Sequence, residues 1–167
     1  MKKIISITIG IIILLVGGAF FTARTLIYPV KYTSDIKSIA KEYNLDPYLL
    51  AALGHFESRF DDKKYEKNSN NGIFRFSDQS ATKLAKELNI NNFKPENIVD
   101  EKTSLKLGAY YVSKHNDKNL DKTIQEWNVK NGEDDKFDRR EYAHKYYLPK
   151  IEQNIKIFKV LYPELNI

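Results

Sequence analysis

The chain has 167 residues, of which 42% are hydrophobic and 29% charged, and this fits one globular domain without room for a second large one. Its formal net charge is +5, but residues 1–30 contribute +3 of that, so the rest is nearly neutral and gives no indication of nucleic-acid binding. The absence of cysteine excludes disulfides, thiolate catalysis and Cys-ligated zinc. The three histidines are too scattered for a metal site, and no metal or organic cofactor is implied.

The N-terminal segment predicts a membrane anchor. Residues 4–21 carry no charge, and twelve of them are Ile, Leu, Val or Phe. At about 1.5 Å per residue, such a helix is about 27 Å long, close to the hydrocarbon thickness of a bilayer. Lys2 and Lys3 precede it, so we expect a single-pass protein of the cell membrane with residues 31–167 outside the cytoplasm. The alternative is a signal peptide, cleaved after the small residues 17–19, which gives a secreted domain.

Beyond this anchor and linker (residues 1–30), periodic apolar residues predict a compact, mostly α-helical domain over residues 31–167. A first helix is capped by Ser34 and ends before residue 45. A second helix begins at Asp46 and Pro47, a capping carboxylate followed by a proline in the first turn. The apolar residues of this second helix form one stripe: Leu49, Ala52, Leu53, Phe56 and Phe60.

Polar residues 61–71 predict a loop, and the alternation over residues 73–76 favours a short extended segment. Four further helices follow: one from Ser77, one from Asp100, one carrying Leu120, Ile124 and Trp127, and one from Asp138 in which Pro149 starts a new segment or causes a kink. The whole pattern predicts helix packed on helix, with no repeat and no low-complexity tract.

One acidic residue of the second helix is a candidate for chemistry. Glu57 follows the apolar stripe beside Phe56, and Phe60 lies three positions on, on the same side of a helix. A carboxylate held against aromatic surface loses solvation, so its pKa rises. A glutamic acid with a pKa of about 6–7 can act as a general acid near neutral pH. The alternative is a solvated glutamate, or one paired with Arg59 or Lys63.

Several segments occur in an order and spacing that resemble a known family. They are residues 43–53 followed by Glu57-Ser58-Arg59-Phe60, then Gly72-Ile73-Phe74-Arg75, residues 77–81, Leu107-Gly108-Ala109-Tyr110-Tyr111, Glu126-Trp127-Asn128 and Arg140-Glu141-Tyr142. Together they resemble the lytic transglycosylases, goose-lysozyme-like lyases of the cell wall, over about residues 32–147. The run from Tyr28 to Tyr32 is similar to the membrane-anchored Gram-positive members. The resemblance implies a lysozyme-like helical domain behind the anchor.

The resemblance also implies a reaction on peptidoglycan glycan strands. The β-1,4 bond between N-acetylmuramic acid and N-acetylglucosamine is broken without water, and a 1,6-anhydro end is left. One glutamate, here Glu57, protonates the leaving oxygen and then acts as the base, which explains why one carboxylate suffices where other glycosidases use two. The residues that the resemblance assigns to substrate binding are Ser58, Gly72, Phe74, Arg75, Trp127, Asn128 and Tyr142.

Some residues depart from the family's pattern. Arg75 replaces a glutamine that contacts the glycan, and Trp127 replaces a tyrosine. Glu66 lies in a loop where small residues are usual, and as a second carboxylate it would favour hydrolysis. These departures leave open a degenerate protein that binds peptidoglycan without cutting it. Wall growth, secretion-system assembly, conjugation and sporulation all suit a tethered lyase, so partners in the cell-wall or secretion machinery also stay open.

Overall fold

A computed structural model describes residues 2–61 and 63–167, with side chains from residue 4 onward. The expected cytoplasmic N-terminus rests on Lys2 and Lys3, whose side chains lie outside the described part. Helix α1 (Lys2–Thr22) runs into a π-helical turn (Ala23–Ile27). The span Ile4–Ile27 has a mean hydropathy of 2.7 and is long and apolar enough to cross a membrane, a property that a signal sequence shares.

The rest of the chain is mostly helical, as predicted. The helices are α2 (Thr33–Glu42), α3 (Pro47–Ser58), α4 (Asp78–Glu87), α5 (Glu101–His115), α6 (Leu120–Asn128), α7 (Arg139–Tyr142) and α8 (Leu148–Leu161), with 3₁₀ turns at Pro95–Val99 and Pro163–Leu165. Residues 73–76, predicted to be extended, form a turn instead. Paired backbone hydrogen bonds of 2.8 and 3.0 Å between Asn71 and Phe76 close it.

Side chains determine where several helices begin. The predicted caps Asp46, Ser77 and Asp100 each accept a hydrogen bond from a backbone N–H two or three residues on. The predicted cap Ser34 is wrong, because α2 already includes it. The residue before α2 is Tyr32, which has a left-handed backbone (φ 59°) and makes no side-chain cap.

Helix α3 lies at the centre of the domain, packed between α2 and α8. Residues 49–54 are buried on every side of it, not along one stripe, and a helix that is apolar all round belongs in a core. The chain folds back tightly after it: a Cβ on Gly54 would lie 2.8 Å from the ring of Phe60. Glu57 therefore stands in the last turn of the most buried helix.

The C-terminal residues from Arg139 to Leu161 form one continuous helical run. Helices α7 and α8 are joined by a π-helical turn (Ala143–Tyr147), in which the N–H of Leu148 bonds to the carbonyl of Ala143. Proline cannot donate a backbone hydrogen bond, and wider turns of this kind accommodate such a local change in a helix. The sequence left open whether Pro149 starts a new segment or causes a kink. In the structure, Pro149 lies within a continuous helical run.

Residues 24–30 bind the domain directly. Tyr162, which follows α8, is the centre of this contact. The guanidinium group of Arg24 lies 4.3 Å from the centroid of the Tyr162 ring. The Tyr162 hydroxyl accepts from the N–H of Val30 (2.9 Å) and shares its single proton between the carbonyls of Arg24 (2.7 Å) and Tyr28 (2.9 Å). The segment that the sequence assigned to a linker is thus held by hydrogen bonds.

The same segment also binds the end of α3. Arg59 donates to the carbonyl of Ile27 at 2.7 Å, and Nε2 of His55 lies 3.4 Å from that oxygen. His55 is buried, with its ring centroid 5.8 Å from that of Tyr28, and burial lowers its pKa. Since His55 and Arg59 flank Glu57 in the chain, the end of the apolar span has a fixed position relative to Glu57.

We predict that Tyr162→Phe lowers the free energy of unfolding by about 1–2 kcal/mol, because backbone groups of residues 24–30 lose their partner. Urea unfolding of the full chain in detergent, followed by the fluorescence of Trp127, measures this. Tyr146→Phe is the matched control, since the Tyr146 side chain is exposed and its hydroxyl has no hydrogen bond with a described residue. Equal losses in both variants would contradict the role of Tyr162.

Candidate active site

The side chain of Glu57 is held from one side by two donors. Trp127 Nε1 and Lys130 Nζ each donate to Oε1 of Glu57, both at 2.8 Å. The Glu57 side chain is 10% exposed and that of Lys130 only 7%, so this is a buried ion pair. The partners come from about 70 residues along the chain, not from Arg59 or Lys63, the neighbours that the sequence suggested.

The two oxygens of Glu57 have different surroundings. Oε1 accepts both hydrogen bonds, whereas Oε2 has no hydrogen-bond partner among the described residues. Oε2 is also not one of the buried unpartnered atoms, so it keeps contact with solvent. A proton on Glu57 therefore resides on Oε2, the oxygen that an incoming ligand can reach.

Lys130 and Tyr147 are site residues that the sequence did not indicate, and Lys130 is the one bonded to Glu57. Helix α6 ends at Asn128, and in the turn that follows, the N–H of Lys130 bonds to the carbonyl of Trp127 at 3.2 Å. This turn returns the ammonium over the indole, 4.8 Å from the ring centroid of Trp127, in a cation–π contact. Lys130 follows Trp127 by three residues, and this spacing predicts that the two side chains are close. It does not predict that Lys130 is close to Glu57, so it was a weak signal for a site residue.

The charge of Lys130 affects what Glu57 can do. An ammonium at 2.8 Å stabilises the negative carboxylate, which suits a group that must accept a proton. When Glu57 carries a proton on Oε2, Oε1 still accepts from Lys130 and Trp127. The same pair of donors thus orients both the acid and the base form of one carboxyl group.

Tyr147 closes another side of the site. Burial, followed by the negative charge of Glu57, raises the pKa of its hydroxyl, and the side chain of Asn128 acts in the opposite direction. Tyr147 is therefore a neutral phenol beside the carboxylate. Tyr142, the tyrosine expected at the cleft, lies one ring further out, with its centroid 5.8 Å from that of Tyr147.

Two residues expected to contact the glycan are in the core. Phe74 and Trp127 are both fully buried, with their ring centroids 5.3 Å apart. Phe74 has no exposed surface for a sugar, so that expectation is corrected: its ring supports Trp127. Gly108 makes room for it, because a Cβ there would lie 2.2 Å from the Phe74 ring. Trp127 reaches the site only through its Nε1.

Gly72 and Ser58 also have structural contacts. Gly72 has a φ of 73°, and a Cβ there would lie 2.5 Å from the carbonyl oxygen of Ile98. The Ser58 hydroxyl donates to the carbonyl of Gly54 at 3.2 Å and accepts from the N–H of Phe60 at 3.1 Å. Both residues therefore shape the backbone around Glu57.

Arg75 and Glu66 remain available for a ligand. Arg75 is half-buried with a φ of 54°, and its guanidinium has no hydrogen bond or ion pair with a described residue. The Glu66 side chain is exposed and likewise makes no contact of that kind with Glu57. Among the residues that the structure describes, no three His, Asp or Glu side chains are grouped so as to hold a metal ion.

The fold and the site define a class: a mostly helical domain with a buried carboxylate in the last turn of its central helix. A family model described as the transglycosylase SLT domain matches residues 34–133. This match covers more than half of the chain, and the protein belongs to that family of lysozyme-like, peptidoglycan lytic transglycosylases. No curated protein matches the chain. Glu57, Trp127 and Lys130 lie within the matched residues, and Tyr147 lies beyond them.

We predict that Lys130→Met lowers the free energy of unfolding by about 3–5 kcal/mol, because it leaves a buried carboxylate without its cation. Adding Glu57→Gln should recover most of this loss, since a neutral amide needs no cation. Urea unfolding of the two single variants, the double variant and the parent gives the interaction energy.

The matched control for that measurement is Lys63→Met. Lys63 is exposed and lies 3.7 Å from Asp61 in a solvent-accessible pair, so its loss should have almost no effect on unfolding. Strictly additive effects of the Glu57 and Lys130 substitutions would show that the two side chains are not paired.

Proposed function

We propose that this protein is a membrane-anchored lytic transglycosylase, of the type found in Gram-positive cell walls, that cleaves the MurNAc–GlcNAc bond with Glu57 as acid and base. The observation that supports this is the asymmetry of Glu57: Oε1 is held by two donors and Oε2 is open to solvent. A single carboxyl group with one fixed and one accessible oxygen can donate a proton and take one back.

In the first step, the proton on Oε2 of Glu57 passes to the glycosidic oxygen. The bond from that oxygen to C1 of the muramic acid breaks, and the N-acetylglucosamine leaves with a new hydroxyl group. The muramic ring then carries the positive charge of an oxocarbenium-like state. The carboxylate left behind is stabilised by the ammonium of Lys130 and the indole N–H of Trp127.

In the second step, Glu57 accepts the proton of the muramic 6-hydroxyl group. That oxygen forms a bond to C1 of the same sugar, which gives the 1,6-anhydro ring and regenerates the protonated glutamate. No water is consumed, so one carboxylate completes the cycle. Asn128, Tyr142 and Arg75 remain proposed glycan-binding residues. The ring centroid of Tyr142 lies 5.8 Å from that of Tyr147, whose pKa both Glu57 and Asn128 affect, and the guanidinium of Arg75 has no hydrogen bond or ion pair with a described residue.

The proposal favours transglycosylation over hydrolysis. A second carboxylate acting on the same bond has to stand on the other side of the substrate, within several ångströms of the first. Glu66 lies in an exposed loop organised by Asn71, whose amide donates to the carbonyls of Glu66 (2.8 Å) and Ser69 (3.0 Å). Among the described residues, none makes a hydrogen bond or ion pair with the Glu66 side chain that would direct it toward Glu57.

The anchor proposal rests on the apolar span. The span Ile4–Ile27 has 24 residues, and its most apolar window has no buried residue in the structure, as a helix facing lipid requires. We propose that it is retained, that it crosses the cell membrane once, and that residues 31–167 work on the outer side. The contacts of residues 24–30 with Tyr162 and Arg59 then hold the domain at the membrane face.

We predict that the full chain, incubated with purified peptidoglycan, releases muropeptides with 1,6-anhydro ends, and that Glu57→Gln lowers the rate by about 100-fold or more. Mass spectrometry identifies the products, because a hydrolysed end is heavier by one water. Glu66→Gln is the matched control and should release the same anhydro products at an unchanged rate. Hydrated ends that disappear in Glu66→Gln would establish the hydrolytic alternative instead.

For the anchor, we predict that the protein recovered from the cell membrane keeps its N-terminal segment and leaves the membrane only with detergent. Mass spectrometry of the intact protein measures this. A mature form that begins after residue 19 and is found in the medium would show a cleaved signal peptide.

A further inference from the structure

Three exposed aromatic side chains lie together at the start of the C-terminal helical run. The ring centroid of Tyr142 is 5.2 Å from that of Phe137 and 4.9 Å from that of Tyr146. Their exposed fractions are 47% for Phe137, 38% for Tyr142 and 56% for Tyr146. We call these three residues the aromatic shelf. Its rings contact one another and still face solvent.

The aromatic shelf is not needed to complete the core. In the same run, Ala143 is fully buried and Tyr147 is half-buried, and these residues make the contact with the domain. Beyond the apolar span, the other large hydrophobic side chains that the described residues expose are scattered: Val99, Val160 and Ile167. A contiguous exposed apolar patch on a folded domain indicates a binding surface.

The shelf is continuous with the site of Glu57. Tyr142 contacts Tyr147 with their ring centroids 5.8 Å apart, and the Tyr147 ring in turn lies 4.5 Å from that of Phe56, the residue before Glu57. The negative charge of Glu57 also raises the pKa of Tyr147. One ring therefore separates the shelf from the residues around the carboxylate. A long ligand that crosses the site at Glu57 can extend over the shelf without leaving the surface.

The chemistry of the shelf fits a sugar ring. A pyranose has an apolar face of C–H groups and an equatorial rim of polar groups, and an aromatic ring offers a flat apolar partner to that face. Tyrosine adds a hydroxyl at its edge, so it suits surfaces that are apolar at one end and wet at the other. Neither hydroxyl of Tyr142 or Tyr146 has a hydrogen bond with a described residue.

We propose that the aromatic shelf is a glycan subsite beyond the cleavage site, and that it stacks on an N-acetylhexosamine ring of the strand held at Glu57. This inference rests on the proposed function for the identity of the substrate. It adds Phe137 and Tyr146 as binding residues outside the residues matched by the family. The shelf holds the strand in place while Glu57 acts on the bond one or more sugars away.

The test is binding without cleavage, with the full chain in detergent and Glu57→Gln as the parent. The probe is the soluble hexamer of N-acetylglucosamine, and its Kd is measured by isothermal titration calorimetry. Phe137→Ala and Tyr146→Ala should each raise the Kd about three- to tenfold, as expected for the loss of one stacked aromatic ring. Both side chains are exposed, so neither change should affect unfolding.

Two control variants make the outcome specific. Tyr146→Phe keeps the ring and should keep the affinity of the parent, which a role for the hydroxyl would not allow. Val160→Ala shortens an even more exposed apolar side chain elsewhere and should leave the Kd unchanged. An unchanged Kd in both shelf variants, or no binding of the hexamer by the parent, would overturn the proposal.

The same measurements separate this inference from the proposed function. If the wild-type chain forms anhydro ends but the shelf variants bind the hexamer as the parent does, the shelf is not a subsite. If the shelf variants lose affinity but the wild-type chain cuts no peptidoglycan, the subsite stands and the lyase activity falls.

Discussion

The buried pair of Glu57 and Lys130 is the interaction around which the site is organised. Two charges that are at least nine-tenths buried are tolerated in a folded protein only when their hydrogen bonds are well made. Here the carboxylate has its second donor in Trp127, whose indole in turn lies under the ammonium. The geometry of Glu57 therefore depends on keeping one indole ring in one place.

Several residues with no contact to Glu57 serve that purpose. The turn closed by Asn71 and Phe76 places Phe74 against Trp127, and Gly108 on α5 leaves the space that Phe74 fills. Because packed interiors tolerate little change in volume, these contacts together hold the indole of Trp127 in one position. The motif around Phe74, which resembles a substrate-contacting segment, acts in this protein through the core.

The C-terminal run connects the site to the segment that ends the apolar span. Its first part supplies the aromatic shelf and Tyr147, and its end supplies Tyr162, which binds the backbone of residues 24–30. The end of α3 completes the link through Arg59 and the carbonyl of Ile27. A segment held at both places limits how far Glu57 can move relative to the end of the apolar span.

Sequence predictions of helix starts were correct where the interacting groups lie close together in the chain. Asp46, Ser77 and Asp100 cap helices as predicted, because a cap bonds to a backbone only two or three residues away. The prediction for Ser34 was wrong because the chain enters α2 through the left-handed Tyr32, whose side chain packs against the core. The alternation over residues 73–76 predicted an extended segment, but these residues form a turn that the backbone pairing of Asn71 with Phe76 closes.

By itself, the sequence determined the apolar N-terminal span, the mostly helical domain and the position of Glu57 in the last turn of the second helix of the domain. These follow from composition, periodicity and caps, which act over a few residues. The tertiary structure alone decided which residues surround Glu57: its two donors Lys130 and Trp127, and Tyr147, whose pKa its charge raises. They come from turns and helices about 70 to 90 residues away, and no local pattern specifies which distant side chain a carboxylate will meet when the core closes.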